Sequence, residues 1–186
     1  MERQSLIRRA VAPAATVVIV MAASAILYDQ SWRIDIDALH QFTAYVSGLI
    51  LFVSIGFGPL YVYPKAFFRG ATALERILAC LVTPVAWDVK EMLRVSEYFT
   101  WGESLYYGLN TIFILCLCVV AAQMGICEMV CRLVRNRQVS EPVPVVTPAS
   151  LIPVVVGLLG VGVFFLWGGG ASSFYIYQEG YKALFM

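Results

Sequence analysis

The sequence predicts an all-α integral membrane protein: a bundle of four transmembrane helices plus an amphipathic helix in the membrane interface. The chain of 186 residues is 60% hydrophobic and 13% charged, with a mean hydropathy of +0.78, whereas about a quarter of the residues in a typical soluble domain are charged. The charge-free residues are gathered in four long stretches: 10–28, 41–64, 104–127 and 142–178. Each stretch can supply the roughly 20 apolar residues that a helix needs to cross a bilayer.

We place the four spans at residues 10–28, 42–63, 104–130 and 149–170 of a single membrane domain, 1–186. The first span has Pro13 in its first turns, where the missing N–H of proline is least costly. The second span ends among aromatic rings and cations, as expected where a helix leaves hydrocarbon for the headgroups. The fourth ends at the three glycines 168–170, which lower helix propensity.

Residues 71–99 form the ambiguous segment of the chain. Their longest charge-free run, 77–87, would rise only about 16 Å as a helix, which is too short for a crossing. At helical spacing one face is apolar: Leu74, Leu78, Leu81, Val85, Val89 and Met92. The opposite face is polar: Arg76, Thr83, Trp87, Lys90 and Arg94. This pattern predicts a helix lying in the interface, broken or bent near Pro84; the alternative is a fifth span.

The distribution of Lys and Arg predicts the orientation of the chain, because cytoplasmic loops carry an excess of these residues. With the N-terminus in the cytoplasm, the four-span and five-span arrangements each place nine of the 13 cations on the cytoplasmic side. They differ in the arginines after the third span, Arg132, Arg135 and Arg137, which face the cytoplasm only with five spans. The short charge-free run in residues 71–99 favours four spans. The cytoplasmic position that five spans give to the three arginines favours five. Compact loops and the absence of an Asn-x-Ser/Thr sequon favour a bacterial inner membrane.

Five residues are predicted to make helix-packing or partner contacts. Cys116, Gln123 and Cys127 project from one side of the third span, and Gly157 and Gly160 lie in the fourth. An amide at mid-membrane depth needs a partner on another helix, and small residues let helices approach closely. Thiolate ligation of Cu(I) is the alternative use of these cysteines, but no C-x-x-C pair supports it. We therefore predict no metal site.

Glu128 is the acidic residue deepest in an apolar context, and a carboxylate inside a membrane is a candidate for function. Arg132 lies four residues further along the same helix, so we expect an ion pair between the two. The alternative role for Glu128 is that of a proton carrier.

An aromatic cluster stands at the predicted mouth of the third span: Trp101, Tyr106, Tyr107 and Asn110. It could line a pocket for a quinone or a lipid. The aromatic belt of an ordinary span would produce the same cluster, so this pocket is the weaker of the two site hypotheses.

Several classes of protein are disfavoured by the sequence. A net charge of +1 provides no basic field for nucleic acid. No nucleophile triad, phosphate-binding loop or metalloprotease helix is present. The single histidine, His40, cannot supply both ligands of a bis-imidazole haem. We therefore predict no cofactor, and the sequence favours a chain without catalytic activity of its own.

The function expected from these features is that of a non-catalytic accessory or scaffolding subunit of a larger membrane complex, such as an energy-transducing one. Its partners would be other membrane subunits and lipids. The first alternative is a component of a transporter or channel, although the first and fourth spans offer few polar groups to line a path. The second is a subunit that contributes a quinone or lipid pocket to a membrane redox enzyme.

Overall fold

The computed structural model describes residues 7–96, 100–108 and 111–166. A π-helical turn, Ile7–Val11, leads into the first of the α-helices, which follow one another along the chain. They are α1 (Ala12–Ser31), α2 (Asp37–Phe68), α3 (Ala73–Val95), α4 (Trp101–Gly108), α5 (Thr111–Asn136) and α6 (Pro148–Leu166). The described residues contain no strand. Among them, four helical segments are long and apolar enough to cross a membrane: Arg9–Ser31, Asp37–Phe68, Phe113–Asn136 and Pro148–Leu166. The predicted all-α membrane bundle is confirmed.

The first three spans end at other residues than the predicted ones, and the differences are largest in α2 and α5. Helix α2 has 32 residues and, at about 1.5 Å per residue, is longer than the hydrocarbon it crosses. Residues 104–108, predicted as the start of the third span, belong to α4, and α5 continues six residues past the predicted end to Asn136. The charged residues from Arg132 onward, which set the predicted end, continue the helix instead of ending it. Residues 167–170 of the predicted fourth span lie outside the described residues.

A tight turn joins α2 to α3 and reverses the direction of the chain. Gly70 adopts a φ of +74°, a left-handed conformation that glycine accepts without strain. The Gly70 N–H donates to the Phe67 carbonyl and the Ala71 N–H to the Ala66 carbonyl, both at 3.0 Å, which is the Schellman termination of a helix. A capping box then begins α3: the Thr72 N–H donates to the Glu75 carboxylate, and the Glu75 N–H donates to the Thr72 hydroxyl.

Contacts between helices give the direction of each one. Helix α3 meets α2 in opposite chain order: Tyr63 with Arg76, Pro59 with Cys80, and Gly58 with Thr83. Helix α5 meets α2 in the same chain order: Gly56 with Gln123, and Tyr63 with Glu128. Helices α2 and α5 are therefore parallel, and α3 runs antiparallel to both. It lies alongside the spans rather than across their ends.

The apolar face of α3 points out of the bundle, and its polar face points inward. Its outward residues are 44% to 64% exposed: Leu74, Leu78, Val85 and Val89. The inward face contains polar side chains that are buried or nearly so: Arg76, Thr83 and Asp88. The helix also continues through Pro84 instead of breaking there, losing only the hydrogen bond that residue 84 would otherwise donate. A helix lying flat in the interface would turn its polar face to water, so this arrangement favours the alternative of a fifth span.

The core lies where α1, α2, α3 and α5 meet. Apart from Tyr63, its buried residues are small or β-branched and include Val17, Val62, Ala66, Cys80, Val120 and Cys127. A second cluster, nearer the start of α2, is formed by Met21, Ala25 and Leu51, against which Trp87 packs. Close packing of small side chains is how helices associate in lipid, where burial of apolar surface provides little driving force between spans.

Helix α6 packs against α5 through its glycines. A Cβ atom built on Gly157 would overlap backbone atoms of Cys118 and Ala122, and one on Gly160 would overlap the Cys118 sulfur. From the α5 side, a Cβ on Gly125 would lie 2.5 Å from the Ser150 carbonyl oxygen. Backbone cannot yield as a flexible side chain can, so Gly125 and Gly157 require glycine, whereas the obstacle at Gly160 is the Cys118 side chain.

We expect Gly157→Ala to loosen the contact between α5 and α6, because the added methyl group meets backbone on the facing helix. Overpacking of this kind destabilises a protein by about 1–3 kcal/mol. The measurement is the midpoint of unfolding in a mild detergent with increasing dodecyl sulfate. Gly162→Ala is the matched control, since nothing lies within 4 Å of a Cβ built there. Equal midpoints for the two variants would contradict the packing described for α6.

Candidate functional site

A buried ionic cluster joins α2, α3 and α5 at the end of the bundle where α2 and α5 finish. At its centre is Glu128, whose side chain is 6% exposed. One carboxylate oxygen, Oε2, accepts hydrogen bonds from the Tyr63 hydroxyl at 2.7 Å and from Arg76 Nη2 at 3.0 Å. The other, Oε1, accepts from Arg132 Nε at 2.7 Å. The predicted ion pair between Glu128 and Arg132 is confirmed.

Arg76 enters the cluster from the first turn of α3. Its Nη1 donates to the Ala71 carbonyl oxygen at 2.7 Å, and its guanidinium lies 5.0 Å from the centre of the Phe67 ring and 5.3 Å from that of Tyr63. Cation–π contacts of this kind become stronger when water is excluded. The Arg76 Nε atom is buried and has no hydrogen-bond partner among the described residues.

Glu128 is held as a structural anion in this arrangement. Taking a carboxylate out of water is costly unless it is paired and hydrogen-bonded, and here both oxygens accept from donors on three helices. A proton carrier needs a carboxylate that is protonated and deprotonated reversibly. Two of the three donors are guanidinium groups, which favour the charged form of the carboxylate, so the geometry supports the ion-pair role.

Sequence reasoning missed two members of the cluster. Tyr63 and Arg76 lie 65 and 52 residues before Glu128, and no local spacing rule connects positions so far apart. The available signal was a general one: an intramembrane carboxylate pairs with cations or hydroxyls on neighbouring helices. The cations on the predicted polar face of residues 71–99, namely Arg76, Lys90 and Arg94, were the candidates for this pairing.

The predicted contact residues of the third span face other helices of the same chain. Gln123 Nε2 donates to the Gly56 carbonyl oxygen of α2 at 2.6 Å, and Gln123 Oε1 is buried with no partner in the described part of the chain. Cys127 is buried in the core, whereas Cys116 is half-buried. Gly157 and Gly160 face α5. These contacts are made inside the chain, and whether Cys116 also meets a partner stays a prediction.

The predicted aromatic pocket falls mostly outside what the structure describes. Trp101 begins α4 and is 67% exposed. The side chains of Tyr106 and Tyr107, and all of Asn110, lie outside the described residues. Nearby, the Thr100 N–H and hydroxyl donate to the Glu103 carboxylate at 2.9 and 2.8 Å, and these bonds hold the pKa of Glu103 below its usual value.

The cysteines and the histidine have ordinary surroundings. All five cysteines are free thiols, and Cys80, Cys127 and Cys131 are buried. His40 Nδ1 lies 2.7 Å from the Ser31 carbonyl oxygen, and its ring lies 5.0 Å from that of Trp32. Over residues 7–96, 100–108 and 111–166, no group of three or more His, Cys, Asp or Glu side chains is placed to hold a metal ion.

A cavity of about 250 Å³ opens beside the ionic cluster. Its lining comes from the ends of α2 and α5, the start of α3 and the loop before α6: Phe67, Arg76, Glu128, Arg132, Arg135 and Val143. The loop is fixed to α5, because Arg132 donates to the Pro144 carbonyl at 3.2 Å and Asn136 exchanges two hydrogen bonds with the backbone of Val143.

Comparison of the chain with protein-family models, with curated proteins and with solved structures gives no match. The function is therefore inferred from the geometry of the chain itself. The ionic cluster, the cavity beside it and the directions of the helices are the features that bear on it.

We expect Glu128→Gln to destabilise the fold, because the amide leaves the buried Arg76 charge without its counterion. Removing one partner of a buried pair costs about 3 kcal/mol or more. The measurement is again the dodecyl sulfate unfolding midpoint in mild detergent. Glu141→Gln is the control, since this substitution removes the same charge from an exposed position in a loop. Similar midpoints for the two variants would show that the cluster contributes little to stability.

Proposed function

We propose that this chain is a non-catalytic subunit of a larger membrane assembly, that it crosses the membrane five times, and that its N-terminus lies in the cytoplasm. The observation that carries the proposal is the use made of polar side chains inside the bundle. Gln123, Glu128, Tyr63 and Arg76 are engaged in contacts between helices of the chain. The interior therefore has the properties of a structural core rather than those of a catalytic centre.

The orientation follows from the directions of the helices. Arg9 Nη1 lies 3.3 Å from the Gly70 carbonyl oxygen, so α1 begins at the end of the bundle where α2 finishes. Eight of the eleven described Lys and Arg residues belong to this basic end: Arg8, Arg9, Lys65, Arg69, Arg76, Arg132, Arg135 and Arg137. The other three, Arg33, Lys90 and Arg94, belong to the opposite end, together with six acidic residues: Asp29, Asp35, Asp37, Asp88, Glu91 and Glu103. An excess of cations marks the cytoplasmic side, which supports a cytoplasmic N-terminus.

Five spans are supported by the parallel course of α2 and α5. Two parallel spans need a return crossing between them, and α3 provides it, because it runs antiparallel to both along its length. Its polar residues face the protein and its apolar residues face outward, which is the arrangement expected of a span with charged side chains in lipid. The proposed compartment is a bacterial inner membrane, for which the support is the short loops and the absence of a sequon.

The topology can be tested by labelling introduced cysteines in intact cells with a membrane-impermeant maleimide. With five spans, Ser140 lies in the cytoplasm and Asp35 outside; with an interfacial α3, both lie outside. Both residues are exposed. We expect Asp35→Cys to be labelled in intact cells and Ser140→Cys only after the membrane is permeabilised. Labelling of both variants in intact cells would exclude the five-span arrangement, and labelling of Ser140→Cys alone would exclude the proposed orientation. The unsubstituted chain measures the background from the native thiols.

Membership of an assembly is supported by the position of α6. In its most apolar window only 17% of the residues are buried, against 39% in the first span, and its one close neighbour in the described structure is α5. The rest of its surface is apolar and includes Val156, Leu159 and Val163. In lipid a span is held in place by packing against other helices rather than by hydrophobic burial. A helix of a partner subunit that packs on this face would therefore hold α6 in position.

The assembly can be tested by purifying the tagged chain from its native membrane in mild detergent. We expect it to elute with at least one other membrane protein in a fixed ratio. Leu159→Trp should release that protein, because a bulky ring on the outer face of α6 disturbs a packed helix but not lipid. Val85→Trp, on the outward face of α3, should leave the ratio unchanged. Elution of the chain alone, with native lipid retained, would contradict the proposal.

A component of a transporter or channel is the second candidate, and the inner face of α3 favours it. Arg76, Thr83 and Asp88 occupy this face over about 18 Å of helix. The Thr83 hydroxyl is buried with no partner among the described residues, and Asp88 is 9% exposed. Buried polar groups in sequence along a span are typical of solute and proton paths. Ion or proton flux through vesicles containing the purified chain alone would favour this candidate.

A further inference from the structure

The cavity beside the ionic cluster has the composition of an anion site. Three arginines line it, Arg76, Arg132 and Arg135, and Glu128 is the one carboxylate in the lining. Glu128 already pairs with Arg76 at 3.0 Å and with Arg132 at 2.7 Å. The lining therefore has a formal charge of two positive units at neutral pH, with one carboxylate shared between two guanidinium groups.

Two groups in the lining retain hydrogen-bonding capacity. Arg135 forms no ion pair with any residue that the structure describes, and its side chain is exposed at the rim. The Arg76 side chain is 12% exposed, and its Nη1 and Nη2 atoms each make one of the two hydrogen bonds that they can donate. A guanidinium group can donate five hydrogen bonds in a fixed plane and binds phosphate oxygens in pairs. Phosphate and carboxylate both match this donor geometry, and the position of the cavity decides between them.

The depth and the shape of the cavity point to the headgroup layer. It is formed where two candidate spans end, at the last turns of α2 and α5, and Phe67 and Val143 add apolar surface beside the arginines. A volume of about 250 Å³ is several times the roughly 30 Å³ that one water molecule occupies, so a phosphate with its ester substituents has room. Basic pockets between spans at the cytoplasmic face bind the headgroups of anionic lipids.

We propose that this cavity binds a phosphate group, supplied by the headgroup of an anionic phospholipid. The guanidinium groups of Arg76 and Arg135 contact the phosphate oxygens, while the Phe67 ring and the Val143 side chain contact the glycerol and the first carbons of the acyl chains. A soluble phosphate offers the same oxygens to the arginines but nothing to the apolar residues. The site rests on the proposed orientation, which puts this end of the bundle at the cytoplasmic face, and on α2 and α5 being spans; it does not depend on the assembly.

The test uses the whole purified chain in a neutral detergent and three probes: short-chain phosphatidylglycerol, short-chain phosphatidylcholine and inorganic phosphate. Binding is measured by native mass spectrometry and by the shift of the thermal unfolding midpoint as each probe is added. Arg135→Gln is the test variant, because this side chain lies in the cavity and takes no part in the ionic cluster. Arg137→Gln is the matched control: it removes the same charge two residues away, outside the lining.

We expect phosphatidylglycerol to bind and to raise the unfolding midpoint, with about tenfold weaker binding to Arg135→Gln, since a charge-assisted hydrogen bond is lost. Arg137→Gln should bind as the unsubstituted chain does. Phosphatidylcholine should bind more weakly, because the arginines repel its ammonium group. Binding of inorganic phosphate alone, with the same dependence on Arg135, would support a phosphate site and assign it to a soluble ligand. No binding of any probe, or equal weakening in both variants, would overturn the proposal.

Discussion

A carboxylate within a membrane bundle must find its counterions inside the protein, and this requirement at Glu128 organises much of the structure. Its two oxygens take three donors, from α2, α3 and α5. One short segment of each helix is thereby fixed against the other two. Because Arg76 must reach the carboxylate, the polar face of α3 is turned inward, and its leucines and valines are left on the outside. The polar side of α3 thus makes its contacts inside the bundle.

The inward turn of α3 has consequences for the whole chain. The Gly70 turn and the Thr72 cap start α3 directly beside the end of α2, and the helix returns along α2 toward the other end of the bundle. Helix α5 must then run parallel to α2, which brings its final arginines to the same end as Arg9 and Arg69. The concentration of cations at one end, from which we infer the orientation, is therefore produced by a local reversal of the chain together with one buried ion pair.

The sequence predicts the features of this protein that depend on local patterns. Apolar runs of about 20 residues locate the spans, and the i,i+4 spacing locates the pair of Glu128 with Arg132. The inward direction of the polar face of α3 was not predictable, because periodicity identifies two faces without indicating which of them meets the protein. The partner of Gln123 was also not predictable, because the Gly56 carbonyl is a backbone group and every residue of the facing helix has one. Tyr63 belongs to the site through a contact across 65 residues, beyond the reach of any spacing rule.

The surplus of positive charge beside the cluster follows from the way the cluster is built. A single carboxylate at the junction of three helices can satisfy donors from all of them, but its one negative charge cannot neutralise two arginines. The excess is tolerable only near the headgroups, where water and lipid phosphates are within reach, and the cluster does lie at the ends of α2 and α5. Arg135 adds a third cation without adding a partner. The arrangement that holds the helices together therefore also creates a place where an anion is stabilised, so that stability of the fold and the composition of the surrounding lipid become physically linked.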